Sequence, residues 1–245
     1  MKTVLITGAN RSIGFEAARQ LLQHGYYVYL GSRDAHNGQQ AVAQLKAEGF
    51  SQVESLHIDV TDSASIAAAR ETLGQKTKAL DVLINNAGIL GGMEQPASST
   101  SLSTIKEVFD TNVFGVIEVT QAFLDLLRQS PEPRIVNVTS GLGSLTLHTD
   151  PSWKYYPVKG AAYQPSKAAL NAYTIMLAYE LRDTPFKVNA VDPGYTATDF
   201  NHHSGPGSVA DAAARLVKAA TLGPDGPTSQ FFSDDNAPET GISPW

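Results

Sequence analysis

Val4-Leu5-Ile6-Thr7-Gly8-Ala9-Asn10-Arg11-Ser12-Ile13-Gly14 joins a short apolar run to an amphipathic one through a glycine-bounded turn. Three consecutive apolar residues without alternation describe a strand buried on both faces, as in a parallel sheet. Helical periodicity follows from Ile13 to His24, and Gly25 stands where a helix-terminating glycine usually does. Gly8 lets the chain turn without a side-chain clash, and Gly14 lets the new helix pack close to the sheet. The helix N-terminus then offers free N–H groups that suit a pyrophosphate. Taken alone, the same turn also serves as a strand–helix connection that holds no ligand.

The alternation continues outward from this unit. Strands are expected at Tyr26–Gly31, Val53–Ile58, Asp81–Asn85, Arg134–Thr139 and Lys187–Val191, with a short last one at Gln230–Phe232. Between them the periodicity predicts helices at Ala35–Glu48, Asp62–Lys78 (with Asp62 as N-cap), Leu102–Gln129, about Ala161–Arg182, and Val209–Thr221. Strands and helices in strict alternation predict an α/β fold, a doubly wound parallel sheet of about seven strands with helices on both faces. No linker, repeat or low-complexity tract divides residues 1–245, so a single domain is expected.

Composition narrows the function classes. With 18 Lys plus Arg against 24 Asp plus Glu, the net charge is −6, which disfavours nucleic acid and anionic membrane as partners. The absence of cysteine removes disulfides, thiolate nucleophiles and zinc–thiolate sites. A strand begins almost at once, leaving no room for a secretory signal, and no run approaches the length of a membrane span. A cytoplasmic protein is the expectation. His202-His203 have no third ligand at useful spacing, so no metal site is expected.

Further motifs stand at later strand ends and on two of the expected helices. They are Asp59-Val60, Asn85-Asn86-Ala87-Gly88, Asp110-Thr111-Asn112-Val113, Asn137-Val138-Thr139-Ser140, Tyr163-Gln164-Pro165-Ser166-Lys167 and Pro193-Gly194-Tyr195-Thr196. Together with the first turn they resemble, in order and over nearly the whole chain, the short-chain dehydrogenase/reductase family. Ser12 departs from the pattern, standing where the family's middle glycine usually does. The resemblance implies a Rossmann fold and a nicotinamide cofactor. It places Gly8, Asn10, Arg11, Ser12, Ile13 and Gly14 around the pyrophosphate, Asp59 and Val60 at the adenine, and Asn86 against the cofactor. Thr196 and Thr198 fall near the carboxamide or phosphates.

Cofactor choice follows from charge. Ser32 occupies the position at the end of the second strand where an NAD enzyme carries Asp or Glu, and Arg33 follows it. Arg33, with Arg11, suits a 2′-phosphate, so NADPH/NADP+ is expected. Asp34 then either points away or holds Arg33.

Tyr163 and Lys167, four apart, share one helix face. An ammonium near a phenol favours the phenolate and makes the tyrosine a better acid. By resemblance, Tyr163 is the general acid, Lys167 also holds the nicotinamide ribose, Ser140 binds the substrate carbonyl, and Asn112 holds a proton-relay water. The implied activity is NADPH-dependent reduction of a small-molecule ketone or aldehyde, most like the carbonyl reductases. The alternatives are an NAD(P)-linked alcohol or sugar dehydrogenase working oxidatively, which Arg33 disfavours, and a cofactor sensor, which retention of Tyr163 and Lys167 disfavours. Leu142, Leu145, Trp153, Tyr155, Tyr156, Tyr195 and Phe200 are candidate walls for a bulky apolar substrate, with His148 and Trp153 equally able to be packing. The segment Leu142–Gly160, long for the family, is expected to cover the surface of the two long helices, leaving a monomer or homodimer.

Overall fold

The continuous apolar runs become strands β1 (Thr3–Ile6), β2 (Tyr27–Ser32), β3 (Val53–His57), β4 (Val82–Asn85), β5 (Arg134–Val138), β6 (Lys187–Val191) and β7 (Phe231–Phe232). In the computed structural model, which describes residues 1–245, they form one parallel sheet in the order β3-β2-β1-β4-β5-β6-β7. The order reverses between β1 and β4, which opens a crevice at their carboxyl ends.

Helices α1 (Ser12–Gln23), α2 (Ala35–Ala47) and α8 (Val209–Ala220) cover one face around Val4, Ile6, Val28 and Ile84. On the other face, α3 (Ser63–Lys76), α5 (Gly115–Leu127) and α7 (Tyr163–Glu180) pack on Leu5, Leu83, Ile135 and Val188. Burying each such aliphatic side chain contributes about 1.5–3 kcal/mol. Helix starts are set locally: Asp34 accepts from the Asn37 N–H, Asp62 from Ala64, and Ser208 from Asp211. Asp62 therefore has the capping role its position implied.

The stretch expected to be one regular helix, Leu102–Gln129, is interrupted. Helix α4 (Leu102–Phe109) passes through a π-turn at Asp110–Phe114 before continuing as α5. Such turns insert a residue and re-aim side chains, commonly at functional sites. Here the turn holds Asn112, which is fully buried. Gly115 follows because a Cβ there would stand 2.5 Å from the Val60 carbonyl oxygen.

The polar tail is ordered. Trp245 stacks on Phe231 with ring centroids 5.5 Å apart, and the Ser243 N–H donates to the Phe231 carbonyl at 2.8 Å. The segment Leu142–Gly160, containing the one-turn helix α6 (Leu145–His148), packs on this tail and meets α7 only in its first half, where the Gly143 carbonyl accepts from Asn171 Nδ2 at 3.3 Å. Thr146 N–H donates to the Trp245 carbonyl, Trp153 Nε1 to Asn236, and Lys154 and Tyr155 to the Asp235 carboxylate. Phe114, Met176 and Tyr179 on the helices remain exposed, so the expected covering of that surface does not occur there. No helix is long and apolar enough to cross a membrane.

Candidate active site

A cleft of about 620 Å³ opens at the switch point, within the range of small-molecule and cofactor pockets. Of the residues singled out from sequence, Gly8, Asn10, Arg11, Ser12, Ile13, Gly14, Arg33, Asp59, Val60, Asn86, Ser140, Tyr163, Lys167, Thr196 and Thr198 all line it. Asn112 does not. Its Oδ1 accepts from the Ile89 N–H at 2.9 Å, and its Nδ2 donates to the Ile89 carbonyl and to Ser166 Oγ. The Asn112 amide is therefore a brace between the β4 loop and α7, not a free group facing the cleft.

The floor at β1 is shaped for close approach. Gly8 has φ +62°, and a Cβ there would fall 2.9 Å from Ala87 Cα. At Gly14 a Cβ would meet Asn86 Nδ2 at 2.5 Å and the Gly8 carbonyl at 2.8 Å. Ser12, the departure noted in the sequence, adopts φ +51°. That left-handed conformation is why glycine is usual there, and serine holds it at some cost in strain. Unlike α2, α3 and α8, helix α1 has no side-chain cap, so its first-turn N–H groups stay available to an anion at the cleft floor. These features fit the diphosphate of a dinucleotide.

Charge at the adjoining end is also suitable. Arg33 is exposed to the cleft and forms no ion pair, while Arg11 lies 3.6 Å from Asp199. Asp34 is spent as the α2 cap, accepting from Asn37 at 2.9 Å, so it does not neutralise Arg33. Ser32, buried at the end of β2, donates to the Asp34 carbonyl at 2.7 Å.

At the far end, Tyr163 is the first residue of α7 and shares a hydrogen bond with the Ser140 hydroxyl. Lys167, one turn on, is buried and donates to the Val138 carbonyl at 2.9 Å; its ammonium stands 5.7 Å from the Tyr163 ring centroid. The expected lowering of the tyrosine by the lysine is not what this geometry produces. Burial pushes the Tyr163 phenol well above its ordinary value, against the Ser140 hydrogen bond and reinforced by the charge of Asp192. Burial also pulls Lys167 down to about 8. Desolvation sets the direction at both groups, and the phenol stays protonated, the form a proton donor needs.

The Lys167 shift has a measurable consequence. Below pH 8 the folded protein bears the full cost of a buried ammonium, about 3 kcal/mol, and this is relieved as pH rises toward the unfolded value of 10.5. From about pH 7 to about pH 9.5 the wild type should gain about 2 kcal/mol of stability relative to Lys167→Met. Chemical denaturation at both pH values checks this; a pH-independent difference between the two proteins would contradict the assigned burial cost.

Other side chains around the site carried no sequence signal or a weak one. The buried Asp192 carboxylate accepts from Ser233 Oγ at 2.6 Å, the Gly194 N–H at 2.9 Å, and the Gly141 N–H. Asn236 Nδ2 donates to the Gly141 carbonyl at 3.1 Å. Gly141, next to Ser140, is thus held on both sides, and a Cβ there would lie 2.9 Å from each of these two side chains. Asp192 stood in view before Pro193-Gly194, whereas Asn236 sits in a tail with no recognisable pattern. His203 Nε2 lies 3.0 Å from Asp199, and no three His, Asp or Glu side chains converge to ligate a metal.

Comparison with known proteins identifies the family. Residues 2–208 match the family model described as short chain dehydrogenase. The chain belongs to that family. It is 34% identical to a (-)-isopiperitenone reductase of Mentha piperita, over 95% of this chain and 96% of that one. The structure of salutaridine reductase from Papaver somniferum superimposes with a TM-score of 0.83 at 30% identity, covering 96% of this chain and 100% of that chain. An NADPH-bound carbonyl reductase from chicken fatty liver gives 0.84 at 26% identity, covering 100% and 99%. In this short-chain dehydrogenase the cleft is also lined by the apolar or aromatic side chains of Leu90, Met93, Leu142, Tyr155, Val158, Tyr195 and Phe200. Of the walls expected from sequence, Leu145 and Tyr156 are exposed outside it. Trp153 is buried edge-on against His148 and Tyr155 and is packing.

Proposed function

We propose that this enzyme reduces ketones or aldehydes to alcohols with NADPH, Tyr163 acting as the general acid. The observation that carries the reading is the buried Tyr163 phenol, hydrogen-bonded to Ser140 and one turn from Lys167, at the end of a cleft whose opposite end carries the unpaired Arg33. Gly8, Gly14 and the free N–H groups of α1 would hold the diphosphate, Arg33 with Arg11 would hold the 2′-phosphate, and Lys167 would bind the nicotinamide ribose. When bound, NADPH supplies the hydride that adds to the carbonyl carbon. Ser140 donates to the carbonyl oxygen and fixes its position. As negative charge develops on that oxygen, Tyr163 delivers its proton, and the nearby Lys167 ammonium steadies the phenolate left behind. The NADPH-bound carbonyl reductase of the same shape supports the cofactor choice.

Substrate character follows from the walls. Phe200 lies 5.6 Å from Tyr163, ring to ring, and forms an apolar surface with Leu142, Tyr155 and Tyr195. The two nearby lysines are already engaged: Lys154 with Asp235, and Lys159 with Nδ1 and the carbonyl of His148. His148 Nε2 donates to the Leu142 carbonyl, so its Nδ1 accepts from Lys159. Lys154 is neutralised by its partner, and Lys159, held by neutral acceptors only, is the one cation beside these walls. A panel of carbonyl compounds with NADPH or NADH, followed by loss of reduced-cofactor absorbance, tests the assignment. Bulky apolar ketones should exceed small keto acids in kcat/KM by roughly tenfold or more, the worth of a modest apolar contact. Preference for keto acids would overturn the substrate class, and no carbonyl turnover with either cofactor would overturn the reductase.

A further inference from the structure

Helix α7 begins at Tyr163 with Ala162 in the capping position, a residue with no side-chain acceptor. Pro165, with no N–H, removes one of the orphan donors of the first turn. The remaining donors of Ala162 and Tyr163 are met from elsewhere in the chain. Gln95 Oε1 accepts from the Ala162 N–H at 3.1 Å and the Tyr163 N–H at 3.0 Å. The other half of the same amide is also spent, Nε2 donating to the Leu90 carbonyl at 2.6 Å and the Gly92 carbonyl at 2.8 Å. The main-chain carbonyl of Gln95 accepts from Ala161 at 2.9 Å. Two N–H donors on one side and two carbonyls on the other allow only one orientation of the amide. Gln95 is 5% exposed, and a Cβ on Gly160 would come within 3.0 Å of its Oε1.

We propose that Gln95 is a positioning residue with two separable tasks: its amide oxygen sets the start of α7 and hence the Tyr163 hydroxyl, and its amide nitrogen holds the Leu90–Met93 loop as a wall of the substrate cleft. The proposal rests on Tyr163 being the proton donor. It follows from the geometry because Tyr163 is the terminal residue of its helix, where fraying moves a side chain most, and Gln95 bonds its own N–H. Leu90, Gly92 and Met93 line the cleft, so the nitrogen half acts on substrate and not on the diphosphate cradle.

The two halves can be tested apart. Gln95→Ala removes both, and kcat should fall roughly ten- to a hundredfold, the cost of misplacing a reacting group by about an ångström, while KM for the ketone rises. Gln95→Glu keeps an acceptor at the helix N-terminus, where negative charge is favoured, but turns an oxygen toward the Leu90 and Gly92 carbonyls. Its kcat should stay within about threefold of wild type while ketone KM rises roughly fivefold or more. NADPH affinity, read by cofactor fluorescence, should change less than about twofold in either variant. A Gln95→Ala enzyme with wild-type kcat, a Gln95→Glu enzyme that loses as much kcat as the alanine, or NADPH affinity falling in step with kcat would each overturn the proposal. If Gln95→Ala does not fold, the kcat-against-KM split in Gln95→Glu decides alone. Tyr163→Phe measured alongside separates the two readings. Full activity of that variant removes the proton donor, whereas its inactivity beside an unaffected Gln95→Ala removes only the role of Gln95.

Discussion

Tyr163→Phe is expected to lower kcat for carbonyl reduction by ~10²–10⁴-fold while leaving NADPH affinity within about twofold. The substitution deletes the one hydroxyl that shares a hydrogen bond with Ser140 and retains the ring that faces Phe200. The helix start is untouched, because Gln95 bonds the main-chain N–H of residue 163 and not its side chain. Ser140 remains to bind the carbonyl oxygen, so substrate KM should change little and the loss should fall on the chemical step. Steady-state kinetics and a fluorescence titration of the cofactor on the same preparation measure both quantities. Retention of most of the rate would end the proton-donor assignment. A drop in cofactor affinity as large as the drop in rate would make Tyr163 a structural residue.

Arg33→Asp is expected to weaken NADPH binding by roughly ten- to a hundredfold or more, since charge-assisted hydrogen bonds contribute about 1.5–3 kcal/mol each. NADH, which has no 2′-phosphate, should bind about as before or better, because a carboxylate at this strand end suits a ribose 2′-hydroxyl. The structure sharpens the expectation. Arg33 forms no ion pair within the chain, Asp59 being the carboxylate that feels its charge, and the adjacent Asp34 is occupied as a helix cap. Arg11 shares its charge with Asp199 and is the weaker anchor. The side chain is exposed, so raising ionic strength should narrow the gap between the two cofactors. Dissociation constants for NADPH and NADH at low and high salt provide the measurement. Equal losses for both cofactors would place Arg33 away from the phosphate.

How far the chain could be read before its structure was known depended on how local each signal was. Val4-Leu5-Ile6 and the matching run at Val82–Ile84 are strands because they are apolar without alternation, a property of neighbouring residues. Asp62 caps its helix through an N–H two residues away. Gly8 and Gly14 stand at their turn for reasons of backbone approach that the adjoining strand and helix already imply. The interrupted helix was less legible. Leu102–Gln129 has helical periodicity throughout, and a π-turn adds only one residue to it, too small a change of phase to stand out from a regular helix.

The residue types, their spacing and their order therefore determined the α/β alternation, the cofactor turn, the Tyr163/Lys167 pair and the choice of Arg33 over an acidic residue. Tertiary structure alone decided how those groups behave. Sequence spacing places Lys167 one turn from Tyr163 and implies an ammonium that lowers the phenol. Folding buries both, and because desolvation depends on everything packed around a group, the balance reverses. The same holds for the supports of the site. Gln95 meets the Tyr163 N–H from 68 residues earlier in the chain, and Asn236 meets Gly141 from 95 residues later. Neither partnership leaves a trace in local pattern, since a buried donor requires only that some acceptor reach it, and which one does so is settled by the path of the chain through the sheet.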